Sequence, residues 1–174
     1  MENRDGKFIV FEGLETTRLK GYILAVEKDF LKYGDSFIKV NFPSGLALNS
    51  NYYQSNFEKR IEPLLKSGIT VVAEHFSLPS VVNRLLQKEK IKDLEQEYKE
   101  VPLPDLTIYF EPSNQTFNGY NSLVENRKLA YEKAVKSSLA GCNVERFFRI
   151  DDHVINNMVI ALIEQIETKG YIER

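Results

Sequence analysis

Residues 7–21 read Lys7-Phe8-Ile9-Val10-Phe11-Glu12-Gly13-Leu14-Glu15-Thr16-Thr17-Arg18-Leu19-Lys20-Gly21. Phe8 to Phe11 form a continuous apolar run, as in a strand covered on both faces. Glu12-Gly13 closes it. From Leu19 the period changes. Leu19, Tyr22, Ile23, Val26, Phe30 and Leu31 recur at three- and four-residue spacing, which predicts a helix over 19–33. Gly34-Asp35 stops that helix. Strand, glycine turn and helix make a frame that can hold a phosphate. The turn itself lacks most of the residues that would do the holding.

Outward from this stretch, strand and helix patterns alternate. Residues 36–41 form a second short strand, ended by Pro43. Residues 44–51 are small and polar and read as a loop. A helix over 52–67 turns Tyr53, Phe57, Ile61, Leu64 and Leu65 inward, with Pro63 expected to kink or break it. Residues 69–73 are a third, continuously apolar strand. Ser77-Leu78-Pro79 opens a helix with proline in its first turn. That helix is expected to run through Leu85-Leu86 into the charged stretch 87–100, a solvated face. Residues 106–110 are a fourth strand and 111–121 a polar loop. A helix over 123–139 has Ala130, Tyr131 and Ala134 as core candidates. A fifth strand over 146–150 and a closing helix over 154–166 complete the pattern. The alternation predicts one α/β domain over residues 1–174, with a parallel sheet and right-handed crossovers. Ligands of such sheets bind beyond the carboxyl ends of the strands. Those ends fall at Glu12-Gly13, Asn41-Phe42, Glu74-His75, Phe110-Glu111 and Asp151.

Bulk properties narrow the function. The chain has 174 residues and a net charge of −2, so no global basic field draws nucleic acid to it. One cysteine, Cys142, excludes an internal disulfide and any multi-cysteine metal site. With two histidines in all, His75 and His153, a common zinc site cannot be assembled. No apolar run approaches membrane-spanning length, and residues 1–5 do not begin a signal peptide. An intracellular protein, cytoplasmic or nuclear, is expected, with no membrane attachment.

Several segments, in order, resemble the thymidylate kinase family. Phe8-Ile9-Val10-Phe11-Glu12-Gly13-Leu14-Glu15 is similar to its opening strand. Asn41-Phe42-Pro43 resembles the segment after its second strand. The stretch from Ser67 through Glu74-His75-Phe76 to Ser77 resembles its third strand and following Asp-Arg-Tyr motif. Leu103-Pro104-Asp105-Leu106 resembles its entry to the fourth strand. The resemblance spans nearly the whole chain. It implies a three-layer α/β/α P-loop-kinase fold with a five-stranded parallel sheet.

The residues that carry phosphoryl transfer in that family are poorly represented. A Walker A loop needs glycines, a lysine and a hydroxyl at fixed spacing. Read without a gap from Gly13, those positions fall on Arg18, Leu19 and Lys20. Read from Thr16-Thr17, four loop residues are deleted. Gly13, Glu15, Thr16, Thr17, Arg18 and Lys20 are the candidates for any remaining nucleotide contact. The family's Asp-Arg-Tyr reads Glu74-His75-Phe76, and histidine cannot grip a phosphate as a bidentate arginine does. Phe42, Pro43, Tyr53, Gln54 and His75 fall where the resemblance places the substrate cleft, with Tyr52 beside them. The lid region, residues 111–126, has neither arginine nor lysine; Arg127 and Lys128 follow it.

These losses point to a catalytically inactive relative that works through a protein partner or self-association. Such association would use helices near 50–66 and 78–90. Nucleotide binding is then weak, and no cofactor is required. The alternative is a divergent dTMP kinase using ATP and Mg²⁺. Lys20 would then reach the donor phosphates and Glu74 would serve the metal, with Glu12 and Glu15 the other nearby carboxylates. A third reading keeps nucleotide binding without turnover.

Overall fold

The computed structural model describes residues 6–14, 16–32, 37–111, 122–141, 143–147 and 161. Five strands form one parallel sheet: β1 (Phe8–Gly13), β2 (Phe37–Asn41), β3 (Thr70–Glu74), β4 (Leu106–Phe110) and β5 (Val144–Phe147). Their order is β2-β3-β1-β4-β5, so the opening strand is central. All six residues of β1 are buried, which accounts for its continuous apolar run.

The pleat divides the core in two. Ile9, Phe11, Val72 and Ile108 face helix α1 (Thr16–Lys32), which buries Leu19, Tyr22, Ile23 and Val26 against them. Phe8, Val10, Val71, Ala73 and Tyr109 face the other layer. That layer holds α2 (Ser50–Asn56), α3 (Glu62–Lys66), α4 (Leu78–Leu86), α5 (Ile91–Tyr98) and α6 (Ser122–Val135). The result is the expected α/β/α arrangement with a five-stranded parallel sheet.

Several boundaries differ from the sequence expectation. Helix α1 begins at Thr16, not near residue 19. The interruption expected at Pro63 is present: between α2 and α3 the chain widens into a π-helical turn, Phe57–Ile61. Pro63 explains it: without an N–H, it cannot answer the carbonyl one turn back, and Glu62 N–H reaches instead to the Phe57 carbonyl. The helix expected to continue past Leu86 stops there. Lys88 N–H donates to the Leu85 carbonyl (3.0 Å) and Glu89 N–H to the Arg84 carbonyl (3.2 Å). This is a Schellman closure with Lys88 at the left-handed position (φ 68°) where glycine usually sits. Arg84 and Glu89 are also joined by their side chains, with Nε–Oε1 at 2.8 Å and Nη2–Oε2 at 2.6 Å. The bidentate pair holds the break that a helical period conceals.

Strand β5 starts at Val144, two residues before the expected position. Arg146 is accommodated there because its guanidinium reaches Glu132 on α6 and Glu111. The closing helix expected over 154–166 lies outside the described residues, apart from Ala161, which is helical.

Candidate functional site

The carboxyl ends of β1, β3 and β4 converge where a parallel sheet places its ligand. Only Leu14 and Glu15 separate the end of β1 at Gly13 from the start of α1 at Thr16. A Walker A loop needs at least four residues between its glycines. Here the helix takes that space. Leu19 is fully buried, and a Cβ built on Gly13 would lie 3.5 Å from its Cδ2 and 3.0 Å from the Phe110 carbonyl oxygen. The close approach of the Phe110 carbonyl in β4 thus favours glycine at position 13, and Leu19 of α1 lies at ordinary van der Waals distance from the same Cβ position.

Of the phosphate-loop candidates, Gly13 ends β1, and Thr16, Thr17 and Arg18 form the first turn of α1. Lys20 is exposed on that helix. Glu15 lies outside the described residues, as do the side chains of Thr16, Thr17 and Arg18.

At the end of β3, His75 and Phe76 form a buried polar clasp with Glu12. His75 leaves β3 in the left-handed region (φ 62°), a conformation that costs a non-glycine residue about 1–2 kcal/mol. Its N–H donates to the Phe11 carbonyl at 3.0 Å. Its Nδ1 lies 3.0 Å from Glu12 Oε2, and the Phe76 N–H donates to Glu12 Oε1 at 2.9 Å. Burial disfavours charge on the imidazole. The hydrogen bond and charge of Glu12, with Glu74 adding to them, outweigh burial and the opposing Arg127. His75 is therefore held above its ordinary pKa. Among the described residues, His75 Nε2 and the Tyr109 hydroxyl are buried without a hydrogen-bond partner.

Glu74 is buried at the end of β3, in register with Phe11 of β1 and Asn41 of β2. The pleat sets it on the α1 side, opposite Glu12. Glu12 and Glu74 therefore do not converge. No group of three metal-ligating side chains gathers among the described residues.

Two of the cleft candidates meet, Phe42 and Tyr53. Phe42 and Tyr53 join Phe76 in an aromatic cluster, with ring centroids 6.0, 5.0 and 5.3 Å apart. Phe42 and Phe76 are buried and Tyr53 fully so, which makes this a closed core. Tyr52, half-buried, meets Tyr53 edge-on at 5.1 Å. Pro43 is half-buried, and Gln54 turns along its own helix to Glu58 (3.0 Å).

Residues 44–48, expected only to be a loop, are strapped down over α4. Ser80 Oγ donates to the Leu46 carbonyl (2.9 Å), accepts from Leu48 N–H (3.1 Å), and hydrogen-bonds the Tyr53 hydroxyl. Asn83 donates to the Leu46 carbonyl (3.0 Å), and the Tyr98 hydroxyl donates to that of Leu48. Arg127, the first cation after the expected lid, donates to the Ser44 carbonyl (3.3 Å). Sequence reading missed Ser80, Asn83 and Tyr98, because these bonds are made to backbone distant in the chain. The proximity of Ser77-Leu78-Pro79 to a strand end was the one available hint.

No family model matches the sequence, and no curated protein matches it. Solved structures do match. Thymidylate kinase from Ehrlichia chaffeensis superposes with a TM-score of 0.65 at 17% identity, over 91% of this chain and 98% of that one. Thymidylate kinase from Candida albicans superposes with a TM-score of 0.63 at 14% identity, over 96% of this chain and 93% of that one. At such identities the likeness speaks for fold. Strand order, parallel register and helical layers, together with these superpositions, establish that the chain has the thymidylate kinase fold.

Proposed function

We propose that this chain acts through macromolecular interaction, on a kinase fold that no longer transfers phosphoryl groups. The carrying observation is the start of α1 at Thr16, two residues after β1 ends, with Leu19 fully buried, where a phosphate cradle would need open backbone. Phosphoryl transfer depends almost wholly on positioning and charge stabilisation. The Glu12–His75 clasp, the closed aromatic cluster and the strap over α4 support the same reading. In the clasp and the cluster, protein groups engage one another at positions the resemblance assigns to the cleft.

Calorimetric titration of the full chain with Mg-ATP, ADP and dTMP tests this. The expected result is no binding at micromolar concentrations and no rise in Tm, since a ligand specific to the folded state stabilises it by mass action. Micromolar binding of any of the three overturns the proposal.

A second reading, a divergent dTMP kinase, is favoured by the near-complete mutual coverage with two proteins described as thymidylate kinases. Lys20 is exposed on α1 and is the cation that reading would use. Turnover in a coupled assay, abolished by Lys20→Ala, would establish it.

A further inference from the structure

Away from the strand ends, a groove of about 570 Å³ opens between the α4–α5 turn and α6. One wall is a single face of α6: Asn126, Leu129, Ala130 and Lys133 stand at i, i+3, i+4 and i+7. This wall is about two helical turns long. The opposite wall runs from Leu85 to Lys92 through the left-handed turn at Lys88. The floor is aliphatic. Leu86 remains 38% exposed and Leu129 64%, so the chain's own core does not account for these side chains.

The charge of the groove opposes that of the chain. Lys88, Lys90, Lys92 and Lys133 face one acid, Glu89, a formal balance of +3 in a chain of net charge −2. Glu89 is committed to Arg84 through two short contacts. Among the described residues the four lysines have no carboxylate partner within ion-pair distance. A leucine floor with a lysine rim is complementary to an amphipathic helix bearing apolar anchors and flanking Asp and Glu. Nucleic acid fits poorly, because the lining has no aromatic residue for stacking and no arginine. A two-fold pairing of copies through this face would oppose two positive surfaces.

We infer that the groove between the α4–α5 turn and α6 docks an acidic amphipathic helix of a partner protein. The inference rests on the interaction reading for its role. Its test is separate from the nucleotide titration. Nucleotide binding would sink that reading and leave the groove standing. Failure of the peptide alone would sink the groove.

The probe is a fluorescein-labelled helical peptide of about 14 residues, with leucines on one face and glutamates flanking them, titrated into the full chain by anisotropy. The expected result is micromolar binding, at least about tenfold tighter than a scrambled peptide and weakening with salt. Lys90→Glu/Lys92→Glu/Lys133→Glu is expected to weaken it by about tenfold or more, and Leu129→Glu likewise. All four positions are solvent-exposed, so folding is retained and is checked by circular dichroism. Binding no tighter than the scrambled peptide overturns the inference. So does binding unchanged in both variants, a change of oligomeric state in Leu129→Glu, or displacement of the peptide by a single-stranded oligonucleotide.

Discussion

His75 Nδ1 lies 3.0 Å from Glu12 Oε2, with 2% of the histidine side chain and none of the glutamate side chain exposed. The contact joins the ends of β3 and β1 and occupies the place where the resemblance puts a phosphate-gripping arginine. It also makes stability depend on pH. Folding holds His75 above its ordinary pKa, so the folded state binds its proton more tightly than the unfolded chain. That stabilisation is fully present below about pH 6.5 and is lost as pH rises through the higher folded value. Urea midpoints measured from pH 6 upward are expected to fall. In Glu12→Gln the carboxylate is gone and burial dominates, so the slope is expected to flatten or reverse. An unchanged slope would remove the clasp from the account.

Leu19 tests whether α1 is packed where a phosphate loop would be. Leu19→Ala removes a fully buried side chain from the core of the α1 face. It is expected to cost about 2–5 kcal/mol in chemical denaturation. A cost below about 1 kcal/mol would mean the helix start is not held by this side chain.

Ser80 anchors the strap. Ser80→Ala leaves the Tyr53 hydroxyl, the Leu46 carbonyl and the Leu48 N–H without this partner. The expected loss is about 2–3 kcal/mol, since orphaned buried polar groups carry their full desolvation cost. Tyr53→Phe is expected to cost about 1 kcal/mol. The double variant should cost less than the sum, because the two share one bond. Strict additivity would show that the hydroxyls act independently.

Lys88 offers a stabilising change. It sits at φ 68°, where a side chain costs about 1 kcal/mol relative to glycine. Lys88→Gly is expected to raise the denaturation midpoint by an equivalent of about 0.5–1 kcal/mol, net of the added freedom of the unfolded chain. A destabilised variant would place the value of Lys88 in its contacts.

The fold was readable because burial on both faces leaves an unbroken apolar run. Phe8 to Phe11 and residues 106–110 announce themselves in this way, and the latter match β4 to the residue. Helical faces were equally plain: Leu19, Tyr22, Ile23 and Val26 are all buried as their spacing requires. The break at Gln87–Lys90 was not readable. It depends on Arg84 finding Glu89 and Glu97 across a turn, and charged residues carry no periodic signal for such pairing.

The candidate site divides along the same line. The absence of a Walker A spacing after Gly13, the Glu74-His75-Phe76 triplet and the lack of arginine and lysine in 111–126 are properties of residue identity and spacing, visible without coordinates. What these positions touch depends on contacts between residues far apart in the chain. Glu12 meets His75 across 63 positions, and Tyr53 meets Ser80 across 27. A linear pattern records which face a residue takes along its own strand or helix. Packing of neighbouring elements determines which partner waits there, and that is why the parallel α/β fold emerged from the sequence while the clasp, the strap and the lysine-rimmed groove required the folded chain.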